Sequence, residues 1–123
     1  MNSLVNINNK KVKYDYSLLD NYTCGIVLTG NEIKSIRNSN ASLNNSYCQF
    51  EGDELYIVNM HVDQYKNSSE LNYEPKRKRK LLLNKLELRK IQKQVIDVGI
   101  TVVATSLFIS KKGIAKLNIS VAK

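Results

Sequence analysis

Thr101-Val-Val-Ala-Thr-Ser-Leu-Phe-Ile-Ser110, then Lys111-Lys-Gly113, then Ile114-Ala-Lys-Leu-Asn-Ile-Ser-Val-Ala-Lys123, closes the chain. Two runs rich in β-branched and aliphatic residues flank three residues that favour a reversal, which predicts a β-hairpin. In the second run Ala115, Leu117, Ile119 and Val121 alternate with Lys116, Asn118 and Ser120, the period of a half-buried strand. In the first, Val103, Thr105, Leu107 and Ile109 are expected to share one face. Upstream, Ser46–Phe50 and Glu54–Val62 are strand candidates turned by Glu51-Gly52-Asp53. On the second of these, Leu55, Ile57 and Asn59 fall on one face and Tyr56, Val58 and Met60 on the other. The apolar run Thr23–Thr29 predicts a buried strand that Gly30 breaks.

Helical signals are fewer. Asn31–Asn38 can bury Ile33 and Ile36 while Glu32, Lys34, Ser35 and Arg37 stay polar. The stronger helix starts at Asn84, an N-cap with Glu87 three residues on, and has Gly99 as its stop. Leu83 before the cap can staple onto Leu88. Leu88, Ile91, Val95 and Val98 form its inner stripe, and Lys85, Arg89 and Lys93 line another face. Lys10–Asp20 fits either a strand or a helical turn. Residues 1–9 are Asn-rich and expected to be loose. Residues 63–80 read as a long polar loop ending in a basic run. Five or six short strands, one short helix and one longer helix favour a barrel that closes on itself, since closure removes exposed edges; an OB-like barrel is the first choice.

The chain has 123 residues, 19 Lys+Arg against 11 Asp+Glu, and a net charge of +8, enough for one domain with a small core. Nine of those cations lie in residues 76–93, opposed there only by Glu87. A field so concentrated attracts a polyanion, although such runs also occur as solvated loops and at membrane surfaces. No run approaches the roughly 18 apolar residues of a membrane span. The first nine residues lack the basic start and apolar stretch of a secretory signal. Cys24 and Cys48 make neither a disulfide framework nor a zinc site, and a reduced cytoplasmic setting is the simplest reading.

Covalent chemistry has little support. His61 is the only histidine, and no motif orients it toward either cysteine. No phosphate-binding Gly-Lys-Ser/Thr loop and no recognisable acid/base pair of carboxylates occur, so no enzyme activity, cofactor or metal is expected. A binding domain is the preferred class. Tyr14, Tyr16, Tyr47, Tyr56, Tyr65 and Tyr73 could stack on bases within a basic groove, with about two of them expected to face RNA and the others to form barrel wall.

Five segments in order carry a resemblance: Asn9-Lys-Lys-Val-Lys-Tyr-Asp-Tyr16, Gly25-Ile-Val-Leu-Thr-Gly-Asn-Glu-Ile-Lys-Ser35, Asn59-Met-His61, Arg77-Lys-Arg-Lys-Leu-Leu-Leu83 and Val121-Ala-Lys123. The chain resembles the SmpB (SsrA-binding, tmRNA-binding) family from Asn9 to Lys123. The resemblance implies a mainly β fold: an OB-type six-stranded antiparallel barrel with about three helices, over a single domain spanning 10–123. It implies a non-catalytic RNA-binding protein, a monomer in solution. Such a protein binds the tRNA-like domain of tmRNA, supports its aminoacylation, and brings it to stalled ribosomes with elongation factor Tu. The runner-up is a ribosomal or generic OB-type assembly protein.

Carried over by motif, the RNA-binding residues are Asn9, Lys10, Glu32, Lys34, Ser35, Arg77, Arg79, Lys80, Leu82 and Lys85. The cations suit phosphates, while Asn9 and Glu32 suit base edges or 2′-hydroxyls. Glu32 can instead tie its own helix to a neighbouring cation, and Leu82 can be core. Where the family often has an acidic residue, this chain has Thr23. The family continues past Val-Ala-Lys into a basic tail. Residues 1–123 are therefore read as a core that binds tmRNA without supporting tagging.

Overall fold

The structure is a computed structural model and describes residues 5–123. Nine strands and three helices follow in chain order: β1 Asn6–Asn8, α1 Lys10–Asp15, β2 Leu18–Ile26, α2 Gly30–Arg37, β3 Ala41–Ser42, β4 Tyr47–Glu51, β5 Glu54–Val58, β6 His61–Val62, β7 Arg79–Leu82, α3 Lys85–Gln94, β8 Thr101–Ile109 and β9 Ala115–Ala122. Six strands pair in a closed antiparallel ring, β2–β9–β8–β4–β5–β7 and back to β2. This is the six-stranded barrel with three helices that the resemblance implied. β1 adds to the free end of β8, and β3 and β6 form a separate two-stranded ribbon.

Alternation fills the interior. Cys24, Ile26, Cys48, Leu55, Ile57, Leu81, Val102, Ala104, Leu107, Leu117, Ile119 and Val121 all point into one buried core. Ile91 of α3 is fully buried in the same cluster, and Leu88 and Val95 pack beside it, so α3 lies against the barrel by the expected stripe. Its capping box is present: the Asn84 side chain accepts from the Glu87 N–H at 2.8 Å, and Glu87 Oε1 accepts from the Asn84 N–H at 3.2 Å. The helix ends well short of Gly99, however, and Val98 is 99% exposed. α1 covers a patch of the barrel's outside, where Val12 meets Val103, Ala122 and Leu18.

Several expectations change. The N-terminal stretch read as loose is strand over Asn6–Asn8, held in register with Phe108, Leu107 and Ser106; residues 1–4 lie outside the described residues. Lys10–Asp20 is both of its alternatives in turn, helix and then strand. The single strand expected over Glu54–Val62 is broken at Asn59, whose φ of +67° is the left-handed conformation that asparagine tolerates. The break turns Met60 into the core beside Leu55 and Ile57, where alternation had placed it on the opposite face from them. In β8 the register slips between Ala104 and Ser106, so Thr105 is an extra, bulged residue. Val102 and Ala104 face the core before the bulge and Leu107 after it, which removes Val103 and Thr105 from the face assigned to them.

Candidate nucleic-acid interface

The basic run 76–80 is where sequence reasoning put the RNA, and the fold divides it. From Arg79 the run is strand β7, so consecutive side chains go in and out. Arg79 points inward and is fully buried; Lys80 and Leu82 point outward, Leu82 with 52% of its surface exposed. Inside, Arg79 meets Glu32, itself 1% exposed. Arg79 Nε and Nη2 lie 2.8 and 2.7 Å from Glu32 Oε2. Arg77 Nη2 donates to Oε1 at 2.6 Å, and the Thr29 N–H donates to the same oxygen at 2.8 Å. Arg79 also donates to the carbonyls of Met60 at 2.7 Å and Pro75 at 3.0 Å.

This network joins α2, β7 and the 73–78 segment. Burial alone would push the Glu32 carboxyl up. The Arg77 hydrogen bond, the Thr29 N–H and Arg79 outweigh it and hold the group below the usual carboxylate range. Glu32 is thus also the N3 member of a capping box with Thr29, and it ties its own helix to neighbouring cations, the second of the two roles open to it.

Asn9 is likewise inside. Its Nδ2 donates to the carbonyls of Leu43 at 3.3 Å and Ala104 at 3.1 Å, and its N–H donates to the bulged Thr105 carbonyl at 2.9 Å. Asn9 locks the β1–α1 junction onto the bulge. Ser35 is 1% exposed, and its carbonyl accepts from the N–H groups of Asn38 and Asn40, closing α2. Four of the ten expected contact residues (Asn9, Glu32, Ser35 and Arg79) therefore position the surface from beneath. Lys10, Lys34 and Lys85 are exposed; Arg77, Lys80 and Leu82 are partly or largely so.

The outward faces of adjacent strands line up in rows. One row runs Leu82, Gly25, Lys116, Phe108 and Asn6 across β7, β2, β9, β8 and β1. Gly25 presents bare backbone, and a Cβ there would sit 3.4 Å from Leu82 Cβ and Cδ1. The next row is polar: Thr23, Asn118, Ser106 and Asn8. Thr23 Oγ1 donates to Asn118 Oδ1 at 2.6 Å, and Asn118 Nδ2 donates to Ser106 Oγ at 2.8 Å. This row passes into a cleft of about 630 Å³ lined by Asn8, Lys10, Lys13, Tyr14 and Ser106. Tyr14 is 89% exposed there, whereas the Tyr73 hydroxyl donates to the Val62 carbonyl at 2.6 Å and Tyr65 lies under Lys34. Flat backbone, an apolar side chain, hydrogen-bonding rows and a cationic margin are what a face needs to grip a folded RNA.

The groups considered for covalent chemistry sit elsewhere. Burial pushes the Cys24 thiol up to about 12, and Cys48 higher still, so neither is a thiolate at neutral pH. His61 Nε2 pairs with Asp63 at 2.8 Å. Among the described residues no three His, Cys, Asp or Glu side chains cluster to hold a metal, and no helix is long and apolar enough to cross a membrane.

A closed β-barrel with one helix on its outer wall and a cationic, partly apolar strand face defines a nucleic-acid-binding class of domain. The model of the SmpB protein family matches residues 6–123. The SsrA-binding protein of Bacteroides thetaiotaomicron is 53% identical over 119 residues, covering 97% of this chain and 79% of that one. The SsrA-binding protein of Christiangramia forsetii is 46% identical over 123 residues, covering all of this chain and 78% of its own. Among solved structures, a chain from "tmRNA-SmpB: a journey to the center of the bacterial ribosome" superposes with a TM-score of 0.80 at 36% identity, covering 97% of this chain and 83% of that one. The chain belongs to the SmpB family.

Proposed function

We propose that this chain is a cytoplasmic, non-catalytic RNA-binding protein that grips the tRNA-like domain of tmRNA and serves its delivery to stalled ribosomes. Lys10, Lys34 and Lys85 contact phosphates, Leu82 packs on an exposed base or ribose, and Arg77 and Lys80, paired with Glu32 and Glu54, border that contact. Asn9, Glu32, Ser35 and Arg79 hold those residues in place. The ribosome, and elongation factor Tu acting through the RNA, are the further partners of this reading. The observation that carries it is the row Leu82–Gly25–Lys116: an exposed leucine beside bare backbone and a lysine, set by strand register on the outside of the barrel. Stacking and apolar contact to an unstacked base, with cations on the sugar-phosphate chain, is how structured RNA is recognised.

The test is a titration of the tRNA-like domain, an unrelated hairpin and a ribosomal RNA fragment at several salt concentrations. The tRNA-like domain is expected to bind tightest, with its association constant falling about a thousandfold between roughly 50 and 200 mM salt. Equal affinity for all three RNAs would overturn the reading, and preference for the ribosomal fragment would favour an rRNA-binding assembly role.

A further inference from the structure

The cations that made the 76–80 run conspicuous are largely paired within the fold. Arg77 and Arg79 pair with Glu32, Lys78 pairs with Glu51, and Lys80 pairs with Glu54 at 2.6 Å. A paired cation offers a polyanion little net field, because its carboxylate repels what the cation attracts. Three carboxylates thus offset three of the run's five charges, and the larger share of the net charge lies in segments that hold no acid. Residues 33–50 contain Lys34 and Arg37 and no Asp or Glu; residues 98–123 contain Lys111, Lys112, Lys116 and Lys123 and no Asp or Glu. These segments hold +6 of the net +8.

The fold brings the two acid-free segments together at one end of the barrel. Arg37 at the end of α2 donates from Nη2 to the Gly113 carbonyl at the tip of the β8–β9 hairpin, at 3.4 Å. The tip is closed by the Ser110 N–H on the Ile114 carbonyl at 2.8 Å and the Gly113 N–H on the Ser110 carbonyl at 2.9 Å, so Lys111 and Lys112 project from a fixed turn. Both are exposed, as is Arg37. Among the described residues none of Arg37, Lys111, Lys112 and Lys116 has a carboxylate within ion-pair distance. Lys116 is the cation of the Leu82–Gly25 row and stands on the same hairpin, so the patch continues the outward face of the barrel.

We propose that the hairpin tip and the end of α2 form a phosphate-binding surface, Arg37, Lys111 and Lys112, that carries the sugar-phosphate backbone of the bound RNA off the end of the barrel past Lys116. This rests on the RNA-binding reading and adds a track to it. Arg37 keeps the rest of its guanidinium for a phosphate while one nitrogen braces the turn. Lys34 does not extend the track in this structure; its ammonium sits 5.4 Å above the Tyr65 ring centre.

The experiment compares the salt dependence of binding to the tRNA-like domain for the unaltered chain, for Lys111→Gln/Lys112→Gln and for Lys78→Gln/Lys80→Gln. Thermal melts check that both variants stay folded. Removing a cation that neutralises one phosphate should reduce the slope of log K against log salt by about 0.7–0.9. The hairpin variant, short of both lysines, is therefore expected to show a slope shallower by about 1.5. The ion-paired variant should change clearly less. An unchanged slope in the hairpin variant, with a steep slope in the unaltered chain, overturns this inference and leaves the RNA-binding reading standing. No salt-dependent binding by the unaltered chain overturns both.

Discussion

Glu32→Ala is expected to lower the stability of the fold by about 3–5 kcal/mol, the cost of removing one member of a buried ion pair and leaving the other charged. Arg79 is fully buried and would keep only the Met60 and Pro75 carbonyls as partners. The same change removes the capping-box acceptor of the Thr29 N–H and releases Arg77, which ties the loop before β7 to α2. Denaturant midpoints measure it. Glu32→Gln keeps the side chain's shape and some of the hydrogen bonds, so its midpoint should fall between those of Glu32→Ala and the unaltered chain.

The acid limb follows with a fixed sign. The folded Glu32 carboxyl titrates below its ordinary range, so its contribution is whole above the unfolded value of about 4.3. That contribution disappears as the pH drops through the folded value. The unaltered chain should therefore lose stability in that interval more steeply than Glu32→Gln. Parallel acid limbs would contradict the network.

Leu82→Asp is expected to do the opposite: little change in thermal midpoint, large loss of RNA binding. Leu82 is half exposed on the outer face, and its side chain lies against Gly25, so the barrel interior does not depend on it. For a base or ribose resting on it, losing the apolar contact would cost on the order of 1–2 kcal/mol, less than full burial of a leucine side chain, and a carboxylate facing phosphates adds repulsion. Binding should weaken by at least about tenfold to a hundredfold at moderate salt. A variant that melts early, or one that binds as before, would place Leu82 in the core or off the interface.

The sequence revealed features that depend on near neighbours. Alternation in Ala115–Val121 marked a strand and its buried face, and Asn84 with Glu87 marked the start of α3. The Thr29–Glu32 capping box was equally legible as Thr-x-x-Glu and would have moved the start of α2 back by one residue. What escaped depends on residues far apart in the chain. Glu32 and Arg79 stand 47 positions apart, and nothing local tells a buried arginine from an exposed one inside a run of five cations. The partners of Lys78 and Lys80, Glu51 and Glu54, are on the β4–β5 hairpin, so the run's charge looked freer than it is. The bulge at Thr105 switched the face of β8 before it but not after it, and the partner of the bulged carbonyl, the Asn9 N–H, lies far off in the chain. The hairpin cations, by contrast, did have a sequence signal: the absence of any Asp or Glu after Asp97.

Charge reversal at Arg79 tests folding, since that side chain never reaches solvent. Contact with RNA is tested most directly by mapping amide chemical-shift changes on adding the tRNA-like domain to the labelled chain. The largest changes are predicted along Leu82, Gly25 and Lys116 and along Thr23, Asn118, Ser106 and Asn8, with the Arg79 amide and the β4–β5 turn little affected. Changes confined to the β4–β5 turn and the outer side of α3, with the strand face silent, would contradict recognition through the barrel's outer wall.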